Sequence, residues 1–122
     1  MIDADKRIRY FKQENQGPSI ARNFGLKQSN GKYVAFLDAD DLYAAEKIAE
    51  QIAFMEANSL SFSHTNYERI SFNGDALSEA QKESTIPAAN KIEWIYPQII
   101  EMCPIATPTV MVTKEAIGAL SL

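Results

Sequence analysis

A chain of 122 residues that is 46% hydrophobic and 23% charged has the composition of a globular protein with room for one core, so a single domain is expected. Its formal net charge of -4 supplies no basic field, which argues against a nucleic-acid partner and leaves any anionic ligand to local neutralisation. The lone Cys103 excludes an intrachain disulfide and a Cys-Cys metal motif, and with no apolar signal core or spanning run in the sequence a cytoplasmic location is expected.

In chain order, Ile8, Tyr10 and Phe11 predict a short strand over residues 7–12, broken at Gly17-Pro18. A helix is expected over residues 19–29, with Ser19 as its cap and Ile20, Ala21 and Phe24 on its apolar face, ending at Asn30-Gly31. Residues 33–37 read as a strand buried on both faces, and strand, helix and strand in succession predict a βαβ unit. Ala45, Ile48, Ile52 and Met55 recur at helical spacing over residues 43–57, with Asp40 or Asp41 placed to cap the first turn. Phe62, Tyr67, Ile70 and Phe72 suggest an extended segment within residues 60–72, closed by Asn73-Gly74-Asp75. The polar run 76–90 reads as a loop, residues 94–102 as a short helix stopped at Cys103-Pro104, 107–112 as a strand and 114–120 as the start of a further helix.

The chemistry concentrates in Asp38-Ala39-Asp40-Asp41, three carboxylates at the exit of an apolar strand. Ligands of open α/β sheets bind outside the carboxyl ends of the strands, and hard oxygen ligands suit magnesium or manganese. Helix capping alone would account for Asp40 and Asp41. Asp38 stands at the strand end and cannot cap the same terminus. A phosphatase-like hydrolase with Asp38 as nucleophile is a further reading, although such enzymes want Thr or Val where Leu42 stands. His64, without partners at ligand spacing, reads as structural, as does Cys103 before Pro104, and Trp94 and Tyr96 read as core or subunit contacts.

The run from Gln13 to Leu26, with its Asn15-Gln16-Gly17 turn and Ala21-Arg22-Asn23-Phe24-Gly25 helix, precedes Gly31-Lys32-Tyr33 and Asp38-Ala39-Asp40. In that order and spacing it resembles the middle of a family 2 glycosyltransferase domain of the GT-A fold. The segment from Cys103 to Val112 is similar to a later strand of the same family. The resemblance implies an α/β, Rossmann-like partial domain with a mostly parallel central sheet and flanking helices. It implies transfer of a sugar from a nucleotide-diphosphate sugar donor to a glycan, lipid or protein acceptor, with inversion and with Mn2+ or Mg2+ as cofactor.

By the same resemblance Asp38 contacts the ribose or donor sugar, Asp40 ligates the metal that bridges the diphosphate, and Arg22 approaches the donor. Asp41 is a supporting residue or a cap. The family's N-terminal nucleotide-binding strands and its catalytic Glu-Asp pair have no counterpart in residues 1–122, so the expectation is a central fragment, inactive in isolation, with no catalytic residue identified. Glu68, Glu93 and Glu101 are left as substitute bases outside any matching motif. A fragment of this kind is expected to self-associate through an exposed sheet edge, and in a longer parent it could lie peripheral to a membrane. The rival reading is a non-catalytic or degenerate nucleotide-binding or interaction module.

Overall fold

The computed structural model describes residues 5–75 and 105–119. The chain divides into two compact units, Met1–Asn30 and Gly31–Leu122.

In the first unit α1 spans Pro18–Gln28. Gly17 is its N-cap at φ 88°, a left-handed conformation that glycine adopts without a Cβ clash, and Pro18 occupies the first helical position, where its missing N–H removes no helical hydrogen bond. Asn15 Oδ1 accepts from the Gly17 N–H at 3.1 Å and closes the approach to the helix. The turn therefore starts the helix one residue before the expected Ser19 cap, and no side-chain cap bond forms. The expected strand over residues 7–12 is absent: the backbone makes no ladder, and Ile8, Tyr10 and Phe11 are all exposed. An apolar run becomes a strand only where a second strand satisfies its N–H and C=O groups. In this unit its companion is a helix, which Phe11 meets edge-to-face at Phe24, with ring centroids 5.6 Å apart. The βαβ unit expected from residues 7–37 consequently does not form as predicted.

The second unit carries β1 (Tyr33–Ala35), α2 (Lys47–Ala57), β2 (Phe62–His64), a 3-10 turn (Thr107–Thr109), β3 (Val110–Thr113) and α3 (Lys114–Gly118). The sheet order is β1-β3-β2. The α/β class stands, whereas the sense of the pairing differs from the mostly parallel expectation: both described ladders are antiparallel. Since β3 runs against both neighbours, β1 and β2 point the same way, so β1, α2 and β2 form a crossover whose two strands are separated by a later one. The register sets Val34 opposite Val112, and places Met111 between Ala35 and Ser63. Two small neighbours leave room for the long Met111 side chain, which is 1% exposed.

The other fully buried side chain is Met55 on α2. The helix ends in a Schellman arrangement, with the Leu60 N–H bonded to the Met55 carbonyl at 2.9 Å and Ser59 in the left-handed region at φ 52°. Gln51, 4% exposed, donates from Nε2 to Ser63 Oγ at 2.9 Å and to the Thr109 carbonyl at 3.1 Å, fastening α2 to β2 and to the turn that leads into β3. At the far end of α2, Glu56 accepts from Lys32 Nζ at 2.9 Å and from the Tyr33 hydroxyl at 3.2 Å. These contacts hold the Glu56 carboxyl below its ordinary range and raise the Lys32 ammonium.

Several boundaries depart from the sequence expectation, among them the start of α2, which lies at Lys47 and not at residue 43. Pro108 has no N–H to give to a ladder, so residues 107–109 turn, Thr109 bonds back to the Ala106 carbonyl at 2.9 Å, and the strand begins at Val110. The extended segment expected within residues 60–72 contracts to β2 with an isolated bridge at Ile70. The helix expected over residues 114–120 is the short α3, with Thr113 Oγ1 accepting from the Ala116 N–H at 3.3 Å. The expected loop at 76–90, the helix at 94–102 and the Cys103-Pro104 stop lie outside the described residues.

Candidate functional site

The ladder of β1 ends at Ala35, and the chain runs through Phe36 and Leu37 to the acidic residues. The Asp41 N–H bonds to the Asp38 carbonyl at 3.2 Å, closing a turn with Ala39 and Asp40 at its tip. Asp38 is half-buried at the base of the turn, while Asp40 and Asp41 are exposed. Helix α2 starts only at Lys47, with Glu46 in the cap position and the Lys47 N–H bonded to the Ala44 carbonyl at 3.1 Å. Neither Asp40 nor Asp41 caps it. The capping expectation is therefore overturned: residues 42–46 separate the acids from the helix.

A cleft of about 980 Å³ opens beside the turn. Asp40, Asp41, Tyr43 and Lys47 line it, together with residues 65–70 that follow β2 and with Pro108 and Thr109 before β3. Its lining carries both signs of charge, with Glu68 and Arg69 contributed by the segment after β2. Tyr43 is half-buried and donates its hydroxyl to the Phe36 carbonyl. Burial raises its pKa, and the charges of Asp38 and Asp41 raise it further, which keeps the hydroxyl protonated and a donor. Lys47 Nζ stands 4.1 Å from the centre of the Tyr43 ring and donates to the Pro108 carbonyl at 3.0 Å. Burial lowers its pKa.

The structure thus brings Asp40 and Asp41 to one cleft and sets Asp38 at the foot of the same turn. Arg22 lies on α1 in the other unit and is half-buried. Of the carboxylates considered as substitute bases, Glu68 lines the cleft, and Glu93 and Glu101 lie outside the described residues. His64 is exposed on β2, beside Phe62. Sequence reasoning passed over Tyr43 and Lys47. Their four-residue spacing directly after the acidic run was the available signal, because an aromatic and a cation so placed can meet where a helix begins.

Among the described residues no group of three or more Asp, Glu, His or Cys side chains is placed to hold a metal ion. Magnesium and manganese are commonly held by one or two carboxylates, with water and substrate phosphate filling the other positions. The exposed carboxylates at the turn fit an ion held in that way rather than one enclosed by protein ligands.

Fold and site together define an α/β protein that presents carboxylates to an open cleft just beyond a strand end, the position where such sheets take their ligands. Residues 1–112 match the family model for Glycosyl transferase family 2, and the chain belongs to that family, whose domain has the Rossmann-like GT-A architecture. It is 50% identical over 109 residues to an uncharacterized glycosyltransferase of Rickettsia felis, covering 89% of this chain and 17% of that protein. Over 119 residues it is 33% identical to a putative teichuronic acid biosynthesis glycosyltransferase of Bacillus subtilis, covering 97% of this chain and 44% of the relative. The same identity and coverage hold for an Escherichia coli UDP-Glc:alpha-D-GlcNAc-diphosphoundecaprenol beta-1,3-glucosyltransferase. The chain therefore spans less than half the length of these curated relatives. No solved structure matches it.

Proposed function

We propose that this chain carries the donor-side acids of an enzyme that transfers a sugar from a nucleoside-diphosphate sugar to an acceptor, with inversion at the anomeric carbon. The observation that carries the reading is Asp40: it stands exposed at the tip of a turn just past β1, lines the cleft and caps no helix. Asp40 is the residue assigned to a magnesium or manganese ion, with Asp38 toward the ribose or sugar. A divalent cation, when bound, supplies stabilisation of the negative charge that develops on a departing diphosphate. The protein's own part is to hold the Asp38 to Asp41 turn and to order the cleft around the sugar. The name of the E. coli relative specifies UDP-glucose and a lipid-linked GlcNAc diphosphate, which supports a lipid-linked glycan as the acceptor proposed here. The single cysteine supports a reducing, cytoplasmic setting for the transfer.

UDP, GDP and dTDP, each titrated with and without Mn2+, test the reading. At least one nucleoside diphosphate is expected to bind in the presence of manganese and to release when the metal is chelated. Binding that is indifferent to chelation, or no binding of any of the three, overturns it.

We further propose that the isolated chain self-associates. Strands β1 and β2 are the outer strands of the described sheet, and Phe62 on β2 is exposed. Unpaired strand edges invite pairing between copies. Sedimentation at micromolar concentration is expected to show species larger than a monomer. A compact monomer throughout the range rejects the proposal.

A further inference from the structure

Residues 36–46 present Asp40 to the cleft. In this stretch the described backbone bonds that close a turn are Asp41 to Asp38 and, just beyond it, Lys47 to Ala44. Leu37 and Leu42, the aliphatic side chains that could anchor the loop, are 51% and 76% exposed. Over residues 39–46 Tyr43 is the one half-buried side chain, the others being exposed. Its hydroxyl reaches back to the Phe36 carbonyl and so closes the segment that contains all three acids. Its ring lies under the Lys47 ammonium, which is itself tied to the Pro108 carbonyl. Phe36, Tyr43, Lys47 and Pro108 thereby form one continuous series of contacts from the exit of β1, past the acidic turn, to the first residue of α2 and the turn before β3.

We infer that Tyr43 is the positioning residue of this site: its bond to Phe36 fixes the loop that presents Asp40 and so sets how tightly Asp40 holds a divalent cation together with a nucleoside diphosphate. The inference rests on the assignment of Asp40 made above. A loop that is free to move must be ordered when its ligand binds, and ordering it beforehand removes that part of the cost from the binding step. Residues that orient metal ligands without touching the metal typically change metal affinity about 10- to 100-fold.

The test is Mn2+ binding in the presence of UDP, read from the electron paramagnetic resonance signal of free Mn2+, on the full chain and on Tyr43→Phe, Lys47→Met and Asp40→Asn. Tyr43→Phe keeps the ring beneath Lys47 and removes only the hydroxyl. Lys47→Met keeps the apolar stem and removes the charge. Tyr43→Phe is expected to weaken Mn2+ binding about tenfold at a temperature where circular dichroism shows the variant folded, and Lys47→Met to weaken it by less. A role confined to stability would lower the melting temperature and leave the affinity of the folded protein unchanged. If Asp40→Asn loses the metal while Tyr43→Phe binds as the parent does, the inference falls and the assignment of Asp40 stands. If Asp40→Asn binds as the parent does, or the parent binds no Mn2+, both fall. Should Tyr43→Phe melt below the assay temperature, Lys47→Met decides, and unchanged affinity in that variant overturns the inference.

Discussion

Asp40→Asn is expected to abolish metal-dependent binding of a nucleoside diphosphate, and Asp41→Asn to leave most of it. The two residues are adjacent, exposed and cleft-lining, so the difference must come from their places in the turn. Asp41 closes the turn through its backbone N–H, a bond that Asn makes equally well. Asp40 stands at the tip, where its side chain is not needed to hold the turn together. Replacing its carboxylate by an amide keeps the shape and removes the charge, and a hard divalent ion loses the anionic oxygen it prefers. Loss of a direct ligand is expected to exceed the roughly 10- to 100-fold effect of a supporting residue. Because the position is exposed, the fold should change in stability by no more than about 0.5 kcal/mol. Calorimetric titration of UDP in the presence of Mn2+ gives the affinities, and urea unfolding gives the control. Equal losses in the two variants, or a loss in Asp40→Asn that tracks a drop in stability, would contradict the assignment.

The largest expected effect on stability belongs to Met55→Ala. Among the described residues the buried apolar side chains are Val34, Met55 and Met111, and Met55 is 0% exposed. Burying a large apolar side chain contributes about 1.5–3 kcal/mol, and truncation to alanine adds the cost of the cavity, for a total of roughly 2–5 kcal/mol. That is a large part of the about 5–15 kcal/mol that holds a typical domain together. Met55→Leu conserves most of the volume and should cost less than about 1.5 kcal/mol. Urea denaturation of the three proteins separates these outcomes. A Met55→Ala variant within about 1 kcal/mol of the parent would mean that Met55 is not the packed centre of the second unit.

What the sequence determined by itself was local. Ala45, Ile48, Ile52 and Met55 predicted a helix over residues 43–57 because a helix repeats its face within a turn or two; α2 lies at Lys47–Ala57, so its end was legible while its start, and Ala45 with it, was not. Asn15-Gln16-Gly17-Pro18 announced the start of α1, since the torsion preferences of Gly and Pro act on their own positions. The acids at the exit of an apolar strand, and the order of motifs around them, were enough to point to the family, which the match over residues 1–112 shows. Pairing lay beyond that reach. The apolar residues at 7–12 look like a strand in sequence, but a strand exists only where another strand completes its hydrogen bonds, and none does so in their unit. The antiparallel insertion of β3 between β1 and β2 sets Met111 beside Ala35 and Ser63, and no periodicity encodes a partnership between segments so far apart. Likewise Gln51 is buried because Ser63 and the Thr109 carbonyl, the latter 58 residues away, accept its hydrogen bonds. Whether Asp40 caps a helix was decided at the same level. Its sequence position allowed both helix capping and ligand binding, and only the folded chain, by starting α2 at Lys47 and turning Asp40 out at the cleft, removed the first.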